Sequence, residues 1–287
     1  MPSIPPPIEE QMTQIYVFVD DYLKQYPAQA AWRVSNNDAP AFTDAEVLTI
    51  GLLQGVFGCA NLKKTYQLVA ANWRSAFPRL CSYGQWLARL HALSALVGQL
   101  IHAALGHCPL YGRLYMMDGL PVPVCKSLRH GRVRLLHEDG ARFGKSSIGW
   151  YFGFTLHMLI HRSGAILSAI LTPANWDEHD TALALALAVD GGVVLADLGY
   201  HSKEDELAQT LADEADLLLI IPADAGEKTN PRRALVSCLR ERIETTFSGL
   251  WNRFSDRVYS RSWQGLWSSL KLKMLHFNLC HAGLLPN

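Results

Sequence analysis

The sequence predicts an α/β protein: a mixed sheet flanked by helices, preceded by an all-helical region. Three observations predict it. Apolar residues recur at helical spacing through residues 8–106, and the period changes at residue 111. A hairpin of two long strand-like runs follows, "IGWYFGFTLHMLIHRSG" and "AILSAILTPAN". After the hairpin, helical runs alternate with short apolar runs, the pattern of strands buried on both faces.

Each element follows in order. "IEEQMTQIYVFVDDYLKQ" (8–25) is a helix. "FTDAEVLTIGLLQGVF" opens the next, with Thr43 as N-cap and Glu46 as its capping-box partner, and Gly58 breaks it. "NLKKTYQLVAANW" has helical spacing, and Pro78 ends that region. "YGQWLARLHALSALVGQLIHAALG" reads as one long amphipathic helix stopping at Gly106. "RLYMMD" is a short apolar strand that finishes at Asp118, with Gly119 and Pro121 forming the turn that keeps the acid at the sheet's edge. A polar, basic insertion covers 125–147, and the hairpin comes next. "DEHDTALALALAV" is a helix with an acidic first turn, which the macrodipole favours. "GGVVLADLGY" is the fourth strand and Asp197 ends it. "SKEDELAQTLADEA" is a helix capped by Ser202, "DLLLIIPA" the fifth strand and "ALVSCLRERIETTFSGLWNRF" a long helix. Helical pattern then continues to about residue 282. The expected domains are 1–107, helical and suited to binding a partner or to dimerisation, and 108–287, holding the sheet. This order is that of the ribonuclease H-like fold, in which the first and fourth strands lie parallel and adjacent. A site in an open α/β sheet lies beyond the carboxyl ends of its strands.

Composition bounds the function. A chain of 287 residues, 49% hydrophobic, is globular with a sizeable core. No apolar run reaches the roughly 18–20 residues of a membrane span, and "MPSIPPPIEEQ" lacks the basic and apolar regions of a secretory signal. Six cysteines (Cys59, Cys81, Cys108, Cys125, Cys238, Cys280) form no C-x-x-C pair, so reduced thiols in a cytoplasmic protein are expected and a zinc site is not. Net charge is zero but segregated: seven bases against two acids in 125–176, one base against thirteen acids in 177–227, ten bases against three acids in 228–287. Two basic segments flanking an acidic one suit a polyanion-binding face, although a charge run alone also suits a solvated surface.

Asp118 and Asp197 each follow an apolar run, where an unpaired charge is costly. If their strands are neighbours, the two carboxylates meet at one edge. Glu244, in "LRERIETTFSGL", adds a third on the last helix of that region. Taken singly, the aspartates read equally well as turn acids and Glu244 as a surface acid. Jointly, three hard oxygen ligands suit Mg²⁺ or Mn²⁺.

These motifs resemble the DDE transposases of bacterial insertion sequences over roughly residues 41–280. "DGLPVPVC" is similar to that family's Asp-Ser-x-Pro-Val. "FGFTLHML" resembles its Gly-Tyr-Lys-Leu-His through Gly153, Leu156 and His157. Thr172, Pro173, Ala174 and Asn175 match its Thr-Pro-Ala-Asn. Asp197, Gly199 and Tyr200 match Asp-Lys-Gly-Tyr. Arg240, Ile243, Glu244 and Phe247 match Arg-x-x-Ile-Glu-x-x-Phe. The resemblance implies a magnesium-dependent enzyme, Mn²⁺ substituting, that nicks double-stranded DNA at the element's terminal inverted repeats and joins the 3′-OH to target DNA. It implies two ions per site, with Asp118 bridging them, Asp197 holding one and Glu244 the other. It implies a homodimer in the synaptic complex, a cytoplasmic, nucleoid-associated location and no membrane. Two alternatives remain: a nuclease of the same fold without strand transfer, and a derived DNA-binding protein that no longer cuts. An unrelated α/β enzyme has no G-x-G-x-x-G, G-x-S-x-G or Walker loop to support it.

The chain departs from the family at Thr155, Leu198 and Trp251, where lysines are usual, and at Ser237 in place of a tyrosine. The expected phosphate contacts are Lys126, Arg129, Arg132, Arg134 and Lys145 of the insertion, with Arg240 and Arg253 on the last helix. His130, His137 and His157 are expected to be hydrogen-bonded or core residues. Asp177, Glu178 and Asp180 are expected to serve a helix N-terminus. Residues 43–73 suit either a helix-turn-helix or a packing domain. Trp150, Tyr151, Trp251, Trp263 and Trp267 are expected in the core.

Overall fold

The computed structural model describes residues 6–27, 40–59, 61–126, 134–146, 149–177, 179–196, 204–221, 245–246, 248–249 and 260–286. In chain order the elements are α1 (Ile8–Gln25), α2 (Asp44–Val56), α3 (Leu62–Asn72), α4 (Tyr83–Ala92) and α5 (Ser94–Leu105). Then come β1 (Leu114–Lys126), β2 (Arg142–Ser146), β3 (Gly149–His161), β4 (Ile166–Pro173) and α6 (His179–Ala186). The last are β5 (Gly192–Leu195), α7 (Glu204–Ala215), β6 (Leu217–Ile220) and α8 (Trp263–His281). Contacts group the chain into two units, Met1–Cys108 with Arg253–Ser255 and Tyr259–Asn287, and Pro109–Asn252 with Asp256–Val258. α8 belongs to the first of these units.

In the helical unit, α2 starts as expected. Glu46 N–H donates to Thr43 Oγ1 at 3.2 Å, and Thr43 N–H donates to Glu46 Oε2 at 2.6 Å. Gly51 and Gly55, one turn apart, let α8 approach closely: a Cβ on Gly51 would lie 3.1 Å from Leu272, and one on Gly55 would lie 2.3 Å from the His276 ring. The expected long helix over 83–106 is two helices broken at Leu93, which caps both. The buried residues Trp86, Leu90, Leu93, Val97, Leu100 and Ala104 keep a three-to-four spacing across the break, so the periodicity does not reveal it.

Burial inside this unit lowers the pKa of Lys273, which is 6% exposed, to about 8. The unfolded lysine titrates near ~10.4. Between these values the unfolded chain binds more protons, so stability rises with pH from about 8 to about 10.4, and below that window the cost of the buried charge is fully present. Lys273→Met is expected to remove that rise and to stabilise the protein at neutral pH by about 1–3 kcal/mol. Urea unfolding at pH 7 and pH 10 checks both.

In the sheet unit the strand order is β3-β1-β5-β6, with β2 and β4 both paired to β3. β2 takes residues 149–153 of β3 and β4 takes 154–160, so they follow one another along the edge of β3 away from β1. β1 is antiparallel to β3 and parallel to β5, as the ribonuclease H-like order requires. The fold is therefore a mixed sheet with helices, consistent with that class.

One expectation fails here. β1 does not end at Asp118 but continues to Lys126, with Gly119 opposite His157 and Pro121 opposite Thr155. Gly119 and Pro121 are strand residues and not a turn. The reason lies in which way the backbone points. Arg113 O accepts from Val193 of β5 and Leu114 O accepts from Arg162, both at 2.9 Å. Backbone groups alternate sides, so residues 113 to 123 of odd number point away from β3. β5 pairs only with Leu114, Tyr115 and Met116. Pro121 and Pro123 therefore direct their missing N–H groups at an edge with no partner strand among the described residues, where proline costs no ladder bond. The basic insertion is also partly strand: Cys125 and Lys126 finish β1, and Arg142–Ser146 form β2.

Candidate active site at Asp118

Asp118 lies two residues beyond Met116, the last residue of β1 paired with β5. β1 and β3 run on past that point as an arm, which β2 and β4 widen. Asp118 therefore stands where the parallel part of the sheet ends, beside the carboxyl end of β5, the place where open α/β sheets bind ligands. Its side chain is half-buried, on the face that Met116, Leu120 and Val122 bury. Gly119 N–H donates to its Oδ1 at 2.7 Å. The carboxylate is thus held by the next peptide, and it gives that outward N–H an acceptor.

The opposite face of the arm is polar and buried. Tyr151 and Thr155 share a hydroxyl–hydroxyl bond of 2.6 Å. His157, 0% exposed, meets Thr172 through Nε2 at 2.9 Å. Thr172 Oγ1 gives its proton to Pro173 O at 3.3 Å, so His157 Nε2 donates and Nδ1 is left as an acceptor. Nδ1 is buried with no hydrogen-bond partner among the described residues. Burial pulls the ring's pKa down to about 4, which keeps it neutral. His157 is the buried, hydrogen-bonded residue the sequence suggests, and it ties β4 to β3 opposite Gly119. Thr155 also sits on this face. A lysine there would point away from the Asp118 face, so this departure takes no charge from Asp118's side.

After β4, the Thr-Pro-Ala-Asn stretch turns over β2. Ala174 N–H donates to Gly153 O at 3.2 Å, and a Cβ on Gly144 would lie 2.3 Å from Ala174 O. Asp177 Oδ1 accepts from His179, from its backbone N–H at 3.0 Å and its Nδ1 at 2.6 Å, so this acid serves the start of α6 as expected.

Asp197 and Glu244 lie outside the described residues, as do Arg129, Arg132, Arg240 and Arg253, and also His130, Leu198, Ser202, Ser237 and Trp251. Residues 245–246 and 248–249 are helical, and Thr246 Oγ1 donates to Gly164 O in the β3–β4 turn at 3.3 Å. Of the expected phosphate contacts, Arg134 and Lys145 are exposed, and Lys126 closes β1. Arg142, which the sequence motifs do not single out, is exposed on β2. Trp150 departs from its expected core position: it is 62% exposed. The signal that could have found this is the alternation of "GWYFGF", which sends Trp150 and Tyr151 to opposite faces, and Tyr151 is buried.

Among the described residues no group of three His, Cys, Asp or Glu side chains could hold a metal ion. Asp118 is the one described member of the expected ligand set, and a half-buried carboxylate at a sheet edge is a donor that suits a hard cation. Among the described residues no helix is long and apolar enough to cross a membrane.

Residues 111–253 match the family model described as the transposase DDE domain, a span that runs from just before β1 through Asp118, Asp197 and Glu244. No curated protein and no solved structure matches the chain. The domain match, the parallel β1–β5 pair and the position of Asp118 at its carboxyl end agree, and the chain belongs to the DDE-type transposases.

Proposed function

We propose that the protein cleaves DNA at the ends of an insertion sequence and transfers the freed 3′-OH to target DNA, using Asp118, Asp197 and Glu244. One observation carries the reading. The ladder that pairs Leu114 with Val193 and Met116 with Leu195 has a constant spacing in sequence, and that same spacing relates Asp118 to Asp197. Register partners in a parallel pair share a face. Asp118 and Asp197, two of the three expected carboxylates, keep that spacing in sequence, and Glu244 lies within the same matched domain.

Two Mg²⁺ ions, with Mn²⁺ as substitute, would be held by these three carboxylates and would activate the attacking oxygen and stabilise the leaving one. In this reading Asp118 would be a ligand to both ions, Asp197 to one and Glu244 to the other. The Gly119 N–H on Oδ1 orients its carboxylate. Arg134, Arg142 and Lys145 supply exposed positive charge on the arm, for phosphate contacts that hold DNA without reading its sequence. Lys126, Arg129, Arg132, Arg240 and Arg253 add to that set. The protein acts in the cytoplasm, as a homodimer that holds two DNA ends.

The test is end-labelled DNA carrying the sequences that flank the coding region, incubated with Mg²⁺ or Mn²⁺. Metal-dependent nicking and joining, lost in Asp197→Ala and in Glu244→Ala, supports the proposal. Nicking without joining makes the protein a nuclease. Binding without nicking makes it a DNA-binding derivative.

A further inference from the structure

We infer that the arm beyond Asp118 carries a stacking site for DNA, built on Trp150 with Lys145 beside it. The inference rests on the transposase reading and adds a contact remote from the chemistry. Side chains alternate along β3, so Trp150, Phe152, Phe154, Leu156 and Met158 share one face, and Asp118 is on that face opposite Met158. Burial along it stops abruptly. Phe152 is 4% exposed, held edge-on by Phe143 at 5.6 Å and stacked by His137 at 6.1 Å. Trp150, one step further, is 62% exposed.

An exposed indole at the end of a strand forgoes a large apolar burial. Its surroundings indicate what covers it. Its register partner on β2 is Lys145, which is exposed on the same face, whereas Arg142, paired with Gly153, lies on the other face. Segment 125–147 holds six Lys and Arg against two acids, and those acids, Glu138 and Asp139, sit in the turn before β2 and not on the strand. A flat π surface with a cation beside it on the same face complements a nucleic-acid strand, whose bases stack on aromatics while its phosphates meet the charge. An apolar protein partner would gain nothing from the Lys145 charge.

The distance gives the contact a register. Eight residues of β3 separate Met158 from Trp150, about 26 Å at ~3.3 Å per residue. A DNA strand with its scissile phosphate at Asp118 covers that distance in about seven or eight nucleotides, at ~3.4 Å each.

The test uses the full chain and DNA with the flanking sequences, left single-stranded on one strand from the cleaved end, carrying 2-aminopurine at successive unpaired positions. The expected result is quenching that peaks about seven or eight nucleotides from the scissile phosphate and disappears in Trp150→Ala. Trp150→Ala is expected to weaken binding by about ten-fold or more, and Trp150→Phe to restore most of it. Lys145→Ala should lower the slope of log affinity against log salt by about one unit. Thermal melting of each variant separates these effects from misfolding. If Trp150→Ala binds and quenches like the wild type while Asp118 remains essential for cleavage, the stacking site is overturned and the transposase reading stands. A Trp150→Ala effect confined to self-association, read by sedimentation, also overturns it. If cleavage is absent but Trp150-dependent quenching persists, the transposase reading fails and the DNA contact stands.

Discussion

Asp118→Asn is expected to fold like the wild type and to lose metal-dependent DNA cleavage by on the order of 10³-fold or more. Asparagine keeps an oxygen where Gly119 N–H donates at 2.7 Å, so the local backbone has no reason to change. What disappears is the negative charge. A hard divalent cation needs anionic oxygen, and a neutral amide oxygen holds it far less well. The variant also separates binding from folding. A metal that binds only the folded state raises its stability by mass action, so wild-type protein should melt at higher temperature as Mg²⁺ or Mn²⁺ is added. Asp118→Asn should show little of that shift while matching the wild type without metal, within about 1 kcal/mol. Wild-type cleavage rates in this variant would remove Asp118 from the site.

Gly153→Ala is the substitution expected to damage the fold most. A Cβ there would lie 2.2 Å from Val122 O, 2.9 Å from Val124 N and 3.1 Å from Pro123 Cα. All three atoms are backbone, at the point where the β1–β3 register shifts between Pro123 and Cys125. No rotamer change relieves the contact; β1 and β3 must separate. The peptide of Gly153 also accepts the Ala174 N–H, so the turn after β4 moves with it. The expected loss is about 3 kcal/mol or more, measured by chemical denaturation. Gly84→Ala, whose Cβ would meet nothing within 4 Å, is the control and should be neutral or stabilising by up to ~1 kcal/mol. Equal stability of Gly153→Ala and wild type would mean that the arm is not closed as described.

The features legible in the sequence are those with a local physical cause. Thr43 and Glu46 announce α2 because a capping box needs only four residues. The 149–173 hairpin shows in its β-branched and aromatic runs and its Arg-Ser-Gly turn. The parallel β1–β5 pair follows from element order. Features set by what lies across from a residue are not legible. Pro121 and Pro123 read as a stop because a lone sequence does not say that their edge of β1 faces no strand among the described residues. Leu93 breaks a helix without breaking its apolar rhythm. Residue type alone sends Trp150 to the core, and its position one step beyond Phe152 exposes it. Of the candidate site, the sequence singles out Asp118 but sets it at the end of its strand instead of within it, while Asp197 and Glu244 lie outside the described residues.

The outer edge of β1 has a consequence for assembly. Strands of separate copies zip together when an edge offers alternating donors and acceptors. From Gly119 to Pro123 this edge offers only acceptors: Gly119 has committed its N–H to Asp118, and Pro121 and Pro123 have none. Like-polarity carbonyl rows repel, so separate copies of the chain do not pair along this stretch of β1. The Asp118 carboxylate therefore protects this stretch against edge-to-edge aggregation, apart from the role proposed for it above. Asparagine at position 118 retains that protection, whereas alanine would release the Gly119 donor and make the inactive protein harder to keep soluble.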